Sequence, residues 1–244
     1  MKLAHEQVVR KYVNKYYPEA RTVLLAGSAA QGRAGEGSDI DLVIFDESAE
    51  ESIRCIDRKF ATIFEVFLLS PKQFPYFLKE ARKSGIPSIV RMCVEGVIVI
   101  DHGQAAAWIA QAKEVWLQGP YARPLEELDQ YRYEITEHLE DFANSDCRAE
   151  NLFVLNKISE LLGLFLLRAN KRWLGVGKWA YRALEEYNPA VARQFAEAMD
   201  CFYRSGSRSE IVEFVRAMLA PYGGKLRVGW IEGVSGNPEE PDEP

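Results

Sequence analysis

Two carboxylates placed two residues apart at the start of an apolar strand constrain this chain more than any other feature. The apolar segment 22–26 leads into Gly27-Ser28, and a small, polar, glycine-rich connection then leads to Asp39 and Asp41. Side chains alternate between the two faces of a strand, so Asp39 and Asp41 share one face while the residues between and after them enter a core. Close carboxylates repel each other unless a cation lies between them. The pattern therefore predicts a strand–turn–strand unit that holds a divalent cation, and Mg²⁺ is usually bound together with phosphate groups.

The segment GSAAQG followed by SDIDL resembles the signature of the nucleotidyltransferase superfamily that includes DNA polymerase β. Its members carry Gly-Ser, a variable stretch and then Asp-x-Asp. Asp39 follows Ser28 by 11 positions, which fits the minimal bacterial members. Gly-Ser alone is more often a simple turn, and Asp-x-Asp alone is more often a solvated strand end. The two motifs together, in this order, are much more specific for the superfamily. The resemblance is strong over residues 22–45 and looser beyond. It implies a Mg²⁺-dependent enzyme that transfers a nucleoside monophosphate, AMP in the first instance, from an NTP such as ATP.

The family pattern includes a third carboxylate on a later strand beside the aspartate pair. The apolar segment 61–69 has one acid, Glu65, in its middle, and charged side chains are rarely buried unless they are paired or bound to a metal. Without the upstream motif, Glu65 would be interpreted as a solvent-facing residue of an edge strand. With it, we predict that Glu65 lies within about 6 Å of the aspartates and shares a metal ion with them. The resemblance implies a two-metal site, with Asp39 and Asp41 on the ion that carries the triphosphate and Glu65 near the acceptor.

We expect the residues around the glycine-serine turn to bind the nucleotide. If Gly27 and Ser28 begin a short helix, their backbone N–H groups would face the phosphates, and the missing side chain of the glycine would let a phosphate approach. Ser38, just before the aspartate pair, is a further candidate. Lys178 follows a flexible Gly-Val-Gly segment and begins a predicted helix, where the helix dipole disfavours a cation. We predict that Lys178 reaches the triphosphate from the helical part of the chain.

Hydrophobic periodicity divides the chain into two parts. We predict an α+β fold, with a small mixed-sheet nucleotidyltransferase domain over residues 1–103, an all-α helical bundle over residues 104–230 and an acidic disordered tail over residues 231–244. The first domain is expected to contain strands at about 22–27, 40–45, 61–69 and 97–100, and helices at 1–18, 49–59, from Pro71 onward and, as a short one, after Pro87. The bundle is expected to contain helices at 104–118, 123–143, 148–170, 178–187, 189–204 and 208–220.

Charge and cysteine content disfavour several other classes. The formal net charge is −6, and because residues 231–244 hold five acids and no base, the remainder carries only −1. This part therefore lacks the basic surplus typical of nucleic-acid binding. The four cysteines are far apart and form no Cys-x-x-Cys motif, which argues against structural zinc and a disulfide framework. No apolar run approaches the roughly 18 residues of a membrane span and no signal core is visible, so we expect a cytoplasmic protein.

A catalytic head followed by a helical bundle resembles the kanamycin and lincosamide nucleotidyltransferases. We therefore expect transfer to a hydroxyl of a small-molecule acceptor. An antibiotic-like compound is one candidate, although no motif for such a substrate is visible. Two alternatives stay open: a protein-modifying enzyme of the antitoxin type, which would AMPylate its target, and a nucleotide-binding module with a degenerate site. The intact carboxylates disfavour the module. A homodimer is compatible with the sequence, which does not specify the oligomeric state.

The acceptor hydroxyl must lose a proton to a base within hydrogen-bond reach. The predicted helix 123–143 carries Glu134, Glu137 and Asp141, and the last two are four residues apart and share a face. A solvated acidic stripe is the ordinary interpretation of this pattern. If the three side chains do not face the site, Glu65 becomes the better candidate for the base.

Overall fold

The computed structural model describes residues 2–35 and 37–231, and the side chains from residue 6 onward. The predicted acidic tail, apart from Ile231, lies outside the described residues. The strands are β1 (Thr22–Leu25), β2 (Ile40–Phe45), β3 (Ile53–Lys59), β4 (Thr62–Leu69) and β5 (Val97–Asp101). The helices are α1 (Lys2–Tyr16), α2 (Gly27–Ala30), α3 (Phe74–Ser84), α4 (Ser88–Glu95), α5 (Ala105–Gln118), α6 (Leu125–Asn144), α7 (Arg148–Ala169), α8 (Lys178–Tyr187), α9 (Pro189–Ser205) and α10 (Ser209–Leu219). The predicted α+β class is confirmed.

The five strands form one mixed sheet in the order β3-β4-β2-β1-β5. Strand β1 pairs antiparallel with both β2 and β5, and β3 pairs antiparallel with β4. The central pair β2–β4 is parallel and places Asp41 directly beside Glu65. Because residues in register on neighbouring strands point to the same face, this pairing brings the two carboxylates together.

Helices cover both faces of this sheet and bury two separate apolar clusters. On one face Tyr12 of α1 packs on β2 and β4, and its ring stacks on that of Phe64 at a centroid distance of 4.0 Å. On the other face Phe45 contacts α3 and α5, with Phe74 edge-on at 5.1 Å and Trp108 stacked at 5.1 Å. Asp41 and Glu65 point to this second face, which is where the sheet lies under α3, α4 and α5. The strands that carry the carboxylates therefore pack against buried apolar residues on both faces of the sheet.

One predicted helix is wrong, because the segment predicted as a helix at residues 49–59 contains strand β3. Side chains of β3 alternate between the two sheet faces, and the strand is joined to β4 by Phe60 and Ala61, whose φ angles are +53° and +58°. Two successive positive φ angles are what a tight two-residue hairpin needs, and glycine or asparagine normally supplies them. Phenylalanine and alanine give no such signal, so the turn could not be recognised and the hairpin was missed.

The chain divides into two compact units that differ from the predicted domains. The first unit comprises residues 1–122 together with 171–176, and the second comprises 123–170 together with 177–244. The predicted boundary at residue 103 therefore falls inside the first unit. Helix α5 was assigned to the bundle, but its Ala112 and Trp108 are part of the apolar cluster under the sheet. The short segment 171–176 also belongs here, since Trp173 Nε1 donates to the Trp116 carbonyl at 3.1 Å.

The described part of the second unit is helical and contains α6 to α10. Its two longest helices, α6 and α7, pack against each other along buried apolar residues that include Leu139 and Phe165. Asn188 caps α9 by accepting hydrogen bonds from the N–H groups of residues 190 and 191, and Pro189 occupies the first turn, as helix starts prefer. No helix among the described residues combines the length and the apolar character that crossing a membrane requires.

The buried Cys93 and the exposed Cys147 allow a test of the fold. Cys93 lies in the apolar cluster under the sheet, where burial raises the pKa of its thiol to about 12. Only the thiolate reacts, so at pH 8 a protonated, buried Cys93 should resist the thiol reagent DTNB until the protein unfolds. Cys147 is exposed and should react at once. Mass spectrometry of the labelled peptides measures both, and the Cys147→Ser variant should lose the fast phase. Rapid labelling of Cys93 in the native protein would contradict this packing.

Candidate functional site

Three carboxylates predicted from the sequence meet at one place on the sheet. Asp39 immediately precedes β2, Asp41 is its second residue and Glu65 lies in the middle of β4. Each side chain offers one oxygen, and these three oxygens all lie within 4.8 Å of one another. Asp39 is exposed, whereas Asp41 and Glu65 are half-buried. The predicted proximity of Glu65 to the aspartate pair is confirmed, although the role of each carboxylate stays a prediction.

The glycine-serine turn lies against this cluster because residue 27 has no side chain. The Ala26 N–H donates to the Asp41 carbonyl at 2.8 Å, which fixes the end of β1 to β2. Gly27 then turns the chain with a φ of +60° and begins the short helix α2. A Cβ on Gly27 would lie only 1.7 Å from Oδ2 of Asp41. Both the backbone conformation and the space therefore require glycine, and the turn approaches the carboxylate as closely as it can.

Glu65 also has a cationic partner that the sequence did not reveal. Nε and Nη2 of Arg54 on β3 both lie 2.5 Å from Oε1 of Glu65. The Arg54 guanidinium is also 5.5 Å from the centre of the Phe67 ring. The Arg54 side chain is 64% exposed whereas that of Glu65 is 14% exposed, so the arginine approaches from the solvent side. Because residues 49–59 were predicted as a helix, nothing in the sequence placed Arg54 beside this carboxylate.

Side-chain contacts from α4 hold the far end of the turn. Glu95 accepts a hydrogen bond of 2.5 Å from Gln31, the residue that follows α2. Arg91 donates to the other oxygen of Glu95 at 3.2 Å and lies over the Trp116 ring at 4.8 Å. These contacts connect α2 to a helix of the buried cluster. They give the glycine-serine turn support that is independent of β2.

The remaining predicted nucleotide-binding residues are spread over both units. Ser28 is half-buried in α2 beside the carboxylates. Ser38 is exposed, and its hydroxyl accepts a hydrogen bond from the Gly35 N–H at 2.9 Å, so it shapes the connection before Asp39. Lys178 is exposed and is the first residue of α8, in the second unit. Its predicted contact with the triphosphate stays a prediction.

The three candidates for the base all lie on α6, in the second unit. Glu134 accepts a hydrogen bond from Gln130 at 2.9 Å. Glu137 forms an ion pair of 2.8 Å with Arg227. Asp141 is exposed, and its carboxylate has no partner among the described residues. Of the three, Asp141 is therefore the one that can accept a proton without first losing a contact.

The carboxylate cluster fits a divalent cation such as Mg²⁺. Three carboxylate oxygens are hard ligands of the kind that Mg²⁺ binds, and it typically takes one or two carboxylates together with phosphate oxygens. The cluster lies against the glycine-serine turn, because Gly27 leaves room for the Asp41 carboxylate. Asp39, Asp41 and Glu65 are the residues that would hold the ion.

Exchange of Gly27 for alanine should damage this site more than the same exchange at Gly32. Both glycines have a positive φ, +60° and +68°, so alanine carries a similar backbone cost of about 1–2 kcal/mol at each. Only at Gly27 does the new Cβ meet a carboxylate, since nothing lies within 4 Å of a Cβ on Gly32. We expect Gly27→Ala to weaken binding of Mn²⁺, measured by calorimetry, at least about tenfold relative to Gly32→Ala. Equal Mn²⁺ affinities in the two variants would contradict the geometry.

The comparison with known protein families agrees with this geometry. A family model described as a nucleotidyltransferase domain matches residues 7–87, which contain all three carboxylates and the glycine-serine turn. Among solved structures, a nucleotidyltransferase-like protein from Exiguobacterium sibiricum is similar to this chain at 12% identity and a TM-score of 0.43, over 89% of this chain and 75% of that one. No curated protein matches the sequence. Residues 7–87 thus carry a nucleotidyltransferase domain of the DNA polymerase β-like superfamily.

Proposed function

We propose that this nucleotidyltransferase transfers AMP from ATP to a hydroxyl group of a small-molecule acceptor. The observation that carries the proposal is the convergence of Asp39, Asp41 and Glu65 beside a turn that only glycine can form. The reaction joins the acceptor oxygen to the α-phosphorus and breaks the bond from that phosphorus to the bridging oxygen. Pyrophosphate leaves with the bonding electrons, and the hydroxyl proton passes to a carboxylate base.

In this proposal the three carboxylates divide the work between nucleotide and acceptor. Asp39 and Asp41 would share the metal site nearest the glycine-serine turn, and Glu65, on the neighbouring strand β4, would lie on the acceptor side. Bound Mg²⁺ would neutralise charge on the attacking and leaving oxygens. Arg54 holds the Glu65 carboxylate in position through its contacts of 2.5 Å. Two adjacent strands therefore position all of the anionic groups that the reaction needs.

The glycine-serine turn contributes to the site through the missing side chain of Gly27 and through its hydrogen-bond donors. Gly27 offers no side chain, so the Asp41 carboxylate can lie directly against the turn. The Ser28 hydroxyl and the nearby backbone N–H groups are donors for phosphate oxygens. Fixed donors of this kind stabilise the charge that develops on a leaving group without rearranging in the transition state. The contacts of α4 with Gln31 support this role, because they hold the turn in place before the nucleotide arrives.

Neutralising Asp41 should abolish most of the activity. Loss of one metal ligand forfeits several kcal/mol of transition-state stabilisation, so Asp41→Asn should slow AMP transfer from [α-³²P]ATP at least about 100-fold. Glu51→Gln is the control, since it removes one negative charge at an exposed position just before β3. Near-normal turnover of Asp41→Asn with Mg²⁺ would refute the assignment. Label that appeared only on protein would instead favour the AMPylating alternative.

Lys178 should contribute to nucleotide binding from the second unit. A triphosphate keeps net negative charge when Mg²⁺ is bound, and a lysine acts on it as a point cation. We expect Lys178→Ala to weaken ATP binding, measured by calorimetry, about tenfold, in keeping with the loss of one charge-assisted hydrogen bond. Lys157→Ala is the control, because Lys157 is another exposed lysine in the same unit. The same ATP affinity in both variants would remove Lys178 from the site.

A further inference from the structure

The sheet face that carries the carboxylates continues onto the edge strand β3. In the register of the sheet, Asp41 lies beside Glu65, and Glu65 lies beside Ile56. Residues two positions away on β3 point to the same face, and these are Arg54 and Arg58. With strands about 4.8 Å apart and a rise of about 3.3 Å per residue, both arginine backbones lie roughly 8 Å from that of Glu65. One row of the sheet thus runs from the catalytic carboxylates to an isoleucine flanked by two arginines.

All three of these β3 side chains are accessible. Ile56 is 69% exposed, an unusual state for an isoleucine in a sheet beside a polar site. Arg54 and Arg58 are exposed as well. On β4, Ile63 and Phe67 lie opposite Arg58 and Arg54 on the same face and are only half-buried. The surface next to the carboxylates is therefore an apolar strip with a cation on each side, which we call the β3 ledge (Arg54, Ile56, Arg58, Ile63 and Phe67).

The two arginines differ in what they contact. Arg54 is held against Glu65. The Arg58 side chain forms no hydrogen bond or ion pair with any residue in the described part of the chain. Protection of a sheet edge explains charged residues on an outer strand. It does not explain why Ile56, which lies between them, is left exposed on the face that carries Glu65.

We propose that the β3 ledge binds the acceptor, and that the acceptor is a hydroxyl-bearing compound with an anionic group, a carboxylate or a phosphate, next to an apolar part. This inference rests on the proposed function, and it names the substrate class for the same site. With a divalent cation on the three carboxylates, one negative charge remains on the cluster, and Arg54 and Arg58 add two positive charges on the same face. Arg58 is free to form a paired contact with an oxyanion. Ile56 and Ile63 offer apolar contact between that anion and Glu65.

The same charges disfavour a polycationic acceptor. An aminoglycoside carries several ammonium groups at neutral pH, and placing one on the β3 ledge would set like charges against Arg54 and Arg58. Like-charge contacts across an interface reduce affinity and exclude partners. The ledge therefore separates two acceptor classes that the carboxylate site alone cannot distinguish.

The test uses the full chain with [α-³²P]ATP and Mg²⁺, and the small-molecule fraction of a cell extract as the source of acceptors. The extract is first divided into anion-exchange-retained, cation-exchange-retained and unretained portions. We expect labelled product from the anion-exchange-retained portion. Phosphatase treatment of that portion before the reaction distinguishes the two sources of charge, because it removes phosphate acceptors and leaves carboxylate acceptors.

Variants of Arg58 then test the ledge itself. Arg58→Glu should lower the labelling of the anionic portion by about tenfold or more, since one charge-assisted contact is replaced by a repulsion. Arg58→Gln should have a smaller effect in the same direction. Arg21→Glu is the charge-matched control, because Arg21 is exposed and precedes β1 at the opposite end of the sheet. Circular dichroism checks that all three variants fold.

The outcomes separate this inference from the function on which it rests. Product from the cationic or neutral portion alone would overturn the inference and leave transfer to a small molecule intact. Labelling of the anionic portion that responds equally to Arg58→Glu and Arg21→Glu would also overturn it. If no portion yields a product, small-molecule transfer itself is wrong, and the inference falls with it.

Discussion

The close approach of Gly27 to Asp41 is the constraint on which the site depends. The Asp41 carboxylate fills the space next to Gly27, so that even one additional carbon atom on residue 27 would not fit. The hydrogen bond from Ala26 to the Asp41 carbonyl makes this approach part of the sheet itself. The turn and the metal-ligand candidate are thus one structural unit. Movement of either would require β1 and β2 to separate.

The parallel pairing of β2 with β4 places the third carboxylate, that of Glu65, directly beside Asp41. In-register neighbours on one face are close, and like charges placed there repel each other unless they are compensated. In the described chain this compensation comes from Arg54 at Glu65. The rigid part of the arrangement lies below the carboxylates, where Phe45, Phe74 and Trp108 pack. Because this apolar packing holds the central strands in place, the sheet can carry neighbouring like charges that would destabilise a less tightly packed sheet.

The sequence predicts the centre of the site better than its edge. Alternation along β2 puts Asp39 and Asp41 on one face, and the resemblance to the superfamily signature adds Glu65, the single acid of β4. Helices α6 to α10 follow from their periodicity and from the breakers between them. Strand β3 was missed because its hairpin turn uses residues that rarely adopt positive φ, and Arg54 was missed with it. Helix α5 was assigned to the wrong unit, since periodicity reveals an apolar stripe but not the surface that buries it.

The position of β3 at the edge of the sheet has a consequence for how such an enzyme can diverge. Its outward side chains are exposed, and substitutions at exposed positions usually change the free energy of unfolding by less than about 0.5 kcal/mol. The carboxylates, in contrast, lie on or next to interior strands that are packed on both faces. Selection can therefore vary the edge strand while the reaction centre stays constant. On the proposal that β3 binds the acceptor, a lineage with this sheet can change its acceptor while the three carboxylates stay the same.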